Sequence, residues 1–205
     1  MLVIVDYGVG NLASMQNMFK KIGTDAVISS DEKIIRYAAK LILPGVGAYD
    51  TCAGKLQESG LTPVLNEKVL QGGTPVLGVC VGMQLLLESS EEGVLPGLGW
   101  IRGKVVKFRQ EELPAGYKIP HMGWTDVKPA RPSRLLEGFD EDPRFYFVHS
   151  YYPQPARPED VLVRADYGKP FAAGMENNNI MGVQFHPEKS HKFGMQLLAN
   201  FVKNY

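Results

Sequence analysis

A cysteine bracketed by glycines, in the run Gly78-Val79-Cys80-Val81-Gly82, is the constellation best suited to chemistry in this chain. It follows the apolar run from Pro75 and precedes Met83-Gln84-Leu85-Leu86-Leu87-Glu88, so it reads as a sharp turn from a buried strand into a helix. The pattern matches the nucleophile elbow, G-x-S-x-G, with Cys in place of Ser. A nucleophile on so tight a turn sits in strained backbone, and glycines two positions before and after it let strand and helix approach. The helix N-terminus behind Cys80 favours a thiolate. The backbone N–H of Val81 then points at any oxyanion that forms. A second donor is expected from Pro44-Gly45-Val46-Gly47, which leaves the strand Leu41–Leu43 at the same carboxyl edge. The bland alternative is a small residue buried at a crowded turn, as most free cysteines are. Cys52, in Tyr49-Asp50-Thr51-Cys52-Ala53, has no glycine bracket and no strand before it, so it is expected in the core.

A thiol nucleophile needs a histidine, and the chain offers His121, His149, His186 and His191. His149 closes the apolar run from Phe145, and His186 closes Gly182-Val183-Gln184-Phe185. Only His186 is followed two residues later by a carboxylate, Glu188. In extended backbone, residues i and i+2 point the same way, and Pro187 fixes φ near −65° between them. Glu188 can therefore accept from the imidazole N–H turned away from the thiol, setting the tautomer and stabilising the imidazolium. The expected triad is Cys80, His186 and Glu188. Taken alone, His-Pro-Glu is a plain turn from strand into terminal helix. Placed at the sheet edge that also carries the elbow, it reads as chemistry. His149 is expected as a structural or pocket residue and His191 as a solvated helix start. No H-E-x-x-H or Cys-rich spacing suggests a metal, and no cofactor is expected.

The elements that must position these groups alternate. Leu2–Val5, Ala26–Ser29 and Leu41–Leu43 are short β-type runs, and Asn11–Ile22, closed by Gly23, and Asp31–Ala39 are helical patterns between them. Such alternation means parallel pairing. A second round follows with an amphipathic stretch Thr62–Leu70, the strand Pro75–Cys80 and a helix from Met83 to Glu88. Beyond about Gly93 the texture becomes Gly- and Pro-rich, with alternating runs at Lys104–Phe108, Phe145–His149, Val161–Ala165 and Ile180–Phe185 that read as antiparallel or mixed strands. Phe193–Val202 is expected as a covering helix. The fold class is therefore three-layer α/β, with a mostly parallel central sheet and added antiparallel strands.

With 205 residues, 44% hydrophobic and with no linker or repeat, the chain is expected to be a single domain spanning 1–205. Its 22 Lys+Arg cancel its 22 Asp+Glu, which argues against a nucleic-acid or acidic-membrane binder. The start MLVIVDYG lacks the basic flank and cleavage site of a secretion signal, no apolar run reaches membrane-spanning length, and two cysteines make no disulfide framework, so a cytoplasmic location is expected.

One motif competes. Gly8-Val9-Gly10-Asn11-Leu12-Ala13 satisfies the loose dinucleotide pattern G-x-G-x-x-G/A after a strand, with Asp25 and Asp31 near the ribose-acid distance. Against it, Asp6 and Tyr7 stand where the strand should run straight into a phosphate loop, and Asn11 reads better as a helix N-cap.

Taken together, Pro44-Gly45-Val46-Gly47, Gly78-Val79-Cys80-Val81-Gly82-Met83-Gln84 and Gln184-Phe185-His186-Pro187-Glu188 resemble, in order and spacing, the triad glutamine amidotransferases of class I. Ile4-Val5-Asp6-Tyr7-Gly8-Val9-Gly10-Asn11, Pro120-His121-Met122-Gly123-Trp124 and Tyr146-Phe147-Val148-His149-Ser150-Tyr151 narrow the likeness to the glutaminase subunits of imidazole glycerol phosphate synthases. The resemblance implies a flavodoxin-like fold, hydrolysis of L-glutamine to glutamate and ammonia, and transfer of the ammonia to a separate (β/α)8-barrel cyclase in a heterodimer of histidine biosynthesis. It also implies that Gln84, Glu92, Ser150 and Tyr151 line the glutamine pocket, and that Asn11, Pro120, Trp124, Tyr146 and Lys189 lie toward the cyclase.

Overall fold

Strand β1 (Leu2–Val5) is buried at all four residues, as a strand must be when helices cover both faces of its sheet. In the computed structural model, which describes residues 1–139 and 142–205, it lies between β2 (Ala26–Ser29) and β3 (Lys40–Gly45). Next come β4 (Val76–Cys80) and β12 (Ile180–Val183), completing a parallel half ordered β2-β1-β3-β4-β12. Antiparallel strands β11 (Pro170–Asn177), β10 (Val161–Asp166), β7 (His121–Pro129) and β8 (Arg144–His149) extend the same sheet to nine strands, the added antiparallel strands that the sequence led one to expect, and make it mixed. A separate three-stranded sheet joins β5 (Ser89–Ser90), β6 (Gly103–Lys107) and β9 (Tyr151–Pro155).

Right-handed crossovers place the helices. Helix α1 (Leu12–Lys21) carries the chain one way from β1 to β2, while α2 (Glu32–Arg36), α3 (Tyr49–Glu58) and α4 (Thr62–Asn66) serve connections running the other way, so they cover the opposite face. The terminal helix α6 (His191–Asn204) packs beside α1, turning Leu197, Leu198 and Phe201 into the core. The stretch expected at Thr62–Leu70 is helical throughout, but its second half, Glu67–Gln71, widens to π-type turns.

The helix expected over Met83–Glu88 is corrected. Helix α5 is a single turn, Val81–Gln84. The next carbonyls are taken by a returning loop: Leu98 N–H donates to Leu85 O at 2.7 Å, Ile101 N–H to Leu86 O at 2.9 Å and Gly99 N–H to Leu87 O at 3.1 Å. All three leucines are buried, so apolar composition suited to a helix is satisfied by backbone pairing with the loop.

Asn11 is also corrected. It occupies the N-cap position of α1, but its side chain makes no capping bond. The glycine turn before it is not built for phosphate. Gly8 N–H is already donated to Asp6 Oδ1 at 3.0 Å, and a Cβ on Gly10 would stand 3.0 Å from the Pro44 ring, so this turn packs on the strand that ends at Gly45.

Candidate active site

Register brings the chemistry together. Gly45 pairs with Cys80 across β3 and β4, and Val183 pairs with Val79 across β12 and β4, so three strands release their next residues at one carboxyl edge. Cys80 has φ 56° and ψ −115°, a conformation costing a non-glycine residue on the order of 1–3 kcal/mol. Its bracketing glycines are required sterically. A Cβ on Gly78 would lie 2.7 Å from Met83 Cα, and one on Gly82 would lie 1.9 Å from Leu43 O. Gly45 has the same role, since its Cβ would meet Gly82 N at 2.4 Å.

His186 is held from both sides. Its backbone N–H donates to Tyr146 O at 2.9 Å, tying it to β8, and its carbonyl accepts from Ser190 Oγ at 2.6 Å. Its ring Nδ1 meets Glu188 Oε1 at 2.8 Å, with both side chains almost wholly buried. The residues from Pro187 to Lys189 form a tight 3₁₀ turn, so Glu188 reaches the imidazole by folding back and not through the extended i, i+2 geometry expected. The other ring nitrogen, Nε2, is buried with no hydrogen-bond partner. Burial opposes charge on this imidazole. Its interactions with the Cys80 sulfur and the Glu188 carboxylate outweigh that and raise its pKa to about 10, which favours the imidazolium.

A cavity of about 350 Å³ opens over these groups. Val46, Gly47 and Val81 border it, as do Gln84, Glu92, Ser150, Tyr151, Pro120, Lys189 and His149. Of the residues expected around the oxyanion, Gly45 alone does not border the cavity, and its lack of a side chain permits the close approach to Gly82. Glu92 Oε2 accepts from Tyr49 N–H at 3.0 Å at the start of α3, and burial raises its pKa. Gln84 donates from Nε2 to Gln184 Oε1 at 3.0 Å and to Tyr151 O at 3.3 Å, which leaves its own Oε1 buried without a partner. That is an acceptor waiting for a donor.

Of the residues expected to face a partner, Pro120 and Lys189 border the cavity, and Trp124 lies on β7 beside Met122, which was not among them. Trp124 is 43% exposed and Met122 is 60% exposed, both on β7. Trp124 stacks on His191, with centroids 5.4 Å apart and planes 9° from parallel, and meets Tyr146 edge-on at 6.0 Å. Lys189 Nζ lies over the Tyr146 ring at 5.7 Å. Asn11 is exposed on the turn that packs against Pro44. Among the described residues no group of His, Cys, Asp and Glu is arranged to hold a metal ion.

Two contacts were not expected from the sequence. Cys52, fully buried, donates from Sγ to Val46 O at 3.3 Å, and burial pushes its thiol up to about 11. Gln184 Nε2 lies 3.8 Å from Cys80 Sγ. Gln184 stands two residues before His186, and that i, i+2 spacing was a signal available in the sequence.

A cysteine on a nucleophile elbow, with a His–Glu pair at the same edge of a doubly wound sheet, defines the class: an α/β enzyme built for covalent acyl chemistry at sulfur. Residues 3–205 match the family model for glutamine amidotransferase class-I, and the chain belongs to that family. It is 51% identical over 203 residues, 99% of both chains, to the imidazole glycerol phosphate synthase subunit HisH 2 of Methanococcus maripaludis, and equally to that of Pseudomonas aeruginosa. The subunit HisH of Bdellovibrio bacteriovorus is 48% identical over 98% of each chain. Among solved structures, a glutamine amidotransferase superposes with TM-score 0.74 at 19% identity, over 98% of this chain and 97% of that one. PurLQS from Thermotoga maritima gives TM-score 0.76 at 17% identity, over 98% and 96%. These structural likenesses concern the fold.

Proposed function

We propose that this chain hydrolyses L-glutamine to glutamate and ammonia and delivers the ammonia to a separate (β/α)8-barrel cyclase. The two form a heterodimer that makes imidazole glycerol phosphate in cytoplasmic histidine biosynthesis. The observation that carries the reading is the buried imidazole of His186, bonded to Glu188 on one side and presenting an unpartnered Nε2 to the cavity that holds Cys80. The full-length identity to HisH subunits supports the choice of acceptor.

The Cys80 thiolate adds to the side-chain carbonyl carbon of glutamine, and the oxyanion is held by Val81 N–H and a donor from the Val46-Gly47 turn. Collapse of this intermediate breaks the C–N bond while His186 Nε2 gives its proton to the nitrogen, releasing ammonia and leaving a thioester. His186, now neutral, takes a proton from water. The hydroxide adds to the thioester, the C–S bond breaks, and glutamate leaves with the thiolate–imidazolium pair restored. Gln84 Oε1 is the open acceptor for a substrate N–H, Glu92 complements the substrate ammonium, and Ser150 and Tyr151 form the opposite wall. Asn11, Pro120, Trp124, Tyr146 and Lys189 face the cyclase, where exposed Trp124 and Met122 supply apolar surface.

Unregulated turnover would waste glutamine, so the subunit is slow alone. Glycines on both sides of Val46 let its peptide planes turn, and a misaimed donor costs on the order of 10² to 10³ in kcat. The test measures glutamine hydrolysis by the purified chain with and without the cyclase and its ribotide ligand. The expected result is an increase of that order carried in kcat. Full activity alone refutes the gating, and no turnover in either condition refutes the glutaminase reading.

A further inference from the structure

Two buried histidines have no part in the chemistry above. His121 and His149 face each other across β7 and β8 as register partners, with His121 Nδ1 2.9 Å from His149 Nε2. The second nitrogen of each ring is also engaged: His121 Nε2 lies 2.8 Å from Thr125 Oγ1, and His149 Nδ1 lies 2.8 Å from Tyr151 O. We propose that His121 and His149 are positioning residues, a neutral relay of fixed direction that pins the Tyr151 carbonyl and, through it, Gln84 at the cavity wall.

The direction follows from one end. A backbone carbonyl only accepts, so His149 Nδ1 carries the proton given to Tyr151 O. A neutral imidazole has one N–H, so His149 Nε2 is bare and must accept from His121 Nδ1–H. His121 Nε2 is then bare in turn, and the Thr125 hydroxyl donates to it. Both rings must be neutral for this to hold. Burial, aided at His149 by the neighbouring His121, lowers their pKa values to about 4 and about 3 respectively. The reverse arrangement would set a bare nitrogen against a carbonyl oxygen at 2.8 Å, which repels.

The end of the relay is where position matters. The chain leaves the nine-stranded sheet at His149 and enters the three-stranded sheet at Tyr151, so Ser150 alone bridges them at the cavity edge. Tyr151 O receives two donors, His149 Nδ1–H and Gln84 Nε2–H. Because Gln84 spends its amide there and on Gln184, its Oε1 is left turned to its unpartnered site, and the glutamine pocket inherits that orientation. The kinetic part of the proposal rests on the glutaminase reading. The spectroscopic part does not.

Long-range ¹H–¹⁵N correlation of the full ¹⁵N-labelled chain at neutral pH should show both histidines protonated at Nδ1 and bare at Nε2, the less common form in free imidazoles. Protonation at Nε2 of either ring overturns the proposal. In His149→Leu the carbonyl ¹³C resonance of Tyr151 should shift, and in His149→Asn, whose amide nitrogen stands where Nδ1 stood, it should return. An unmoved resonance in the leucine variant overturns the positioning role. In the cyclase complex, His149→Leu should raise KM for glutamine about tenfold, the cost of one buried hydrogen bond. Its kcat should stay within about threefold, and His149→Asn should restore most of the KM loss. A loss confined to kcat overturns the assignment to the pocket wall. A native complex that turns over no glutamine refutes the glutaminase reading and leaves the two resonance tests to decide the relay.

Discussion

Replacing Glu188 by glutamine keeps the shape of the His186 contact and removes its charge. The bond at stake joins Nδ1 to Oε1 at 2.8 Å between side chains that are each 3% exposed, so solvent does little to screen it. A glutamine carbonyl can still accept from Nδ1–H and hold the tautomer. What is lost is the difference between a charge-assisted and a neutral hydrogen bond, roughly 1–2 kcal/mol, or about 5- to 30-fold in rate. The amide nitrogen would also take the place of Glu188 Oε2, a buried atom without a partner, and would be a buried donor with nothing to donate to. Because the imidazolium is needed after substrate binds, the loss should fall on kcat with KM little changed. The charge also sets a pH limit. Burial opposes charge on His186, its contacts with the Cys80 sulfur and the Glu188 carboxyl raise its pKa to about 10, and replacing that carboxyl by an amide removes one of the raising contacts and lowers the value. Activity that requires the imidazolium disappears as pH rises through its pKa, so the alkaline limb of the rate profile should move to lower pH in Glu188→Gln. The assay is glutamine hydrolysis by the cyclase complex across a pH series. A change in KM alone, or an alkaline limb that does not move, refutes the orienting role.

Cys80→Ala should abolish glutamine hydrolysis while Cys52→Ala retains most of it, and a glutamine-analogue electrophile should label Cys80 alone by mass spectrometry; label on Cys52, whose thiol burial pushes up to about 11, would refute the assignment. Gly82→Ala places a Cβ 1.9 Å from Leu43 O, backbone that cannot rotate away, so the urea midpoint should fall by the equivalent of several kcal/mol, and a variant within about 1 kcal/mol of the native chain contradicts the packing argument. His121 and His149 have folded pKa values of about 4 and about 3 against an ordinary 6.5, so the unfolded chain binds protons there that the folded chain refuses. Stability contributed by the pair is therefore full above pH 6.5 and falls as pH drops, down to about 4 for His121 and about 3 for His149, by up to about 1.4 kcal/mol per pH unit for each histidine. Urea unfolding at successive pH values checks this, and a double His121→Asn, His149→Asn variant should show a flatter acid limb.

The candidate site was legible where its geometry is local. Glycines at 78 and 82 are needed because strand and helix touch within the same five residues, and that contact is encoded by spacing alone. Glu188 was found by its distance from His186, although the turn that joins them is 3₁₀ and not extended. The Met83–Glu88 helix failed for the opposite reason. Leu85, Leu86 and Leu87 have helical propensity, but their carbonyls are claimed by Leu98, Gly99 and Ile101, residues that no window around position 85 contains.

The same division runs through the whole molecule. Alternating runs in the first half determined a parallel sheet by themselves, because short loops and right-handed crossovers leave few other arrangements. The antiparallel half depended on pairing between distant strands, and neither β7 nor β11 stands out in the sequence. The sequence also singled out the cysteine and the histidine to which we assign the chemistry, since the elbow and His-Pro-Glu are complete as local motifs. That His121 meets His149, that Cys52 holds Val46 O and that Gln84 is left with an open Oε1 was decided only by tertiary structure. The physical reason is range: backbone strain and i, i+2 geometry act within a few residues, whereas a hydrogen bond between strands exists only once register has fixed which residues face each other.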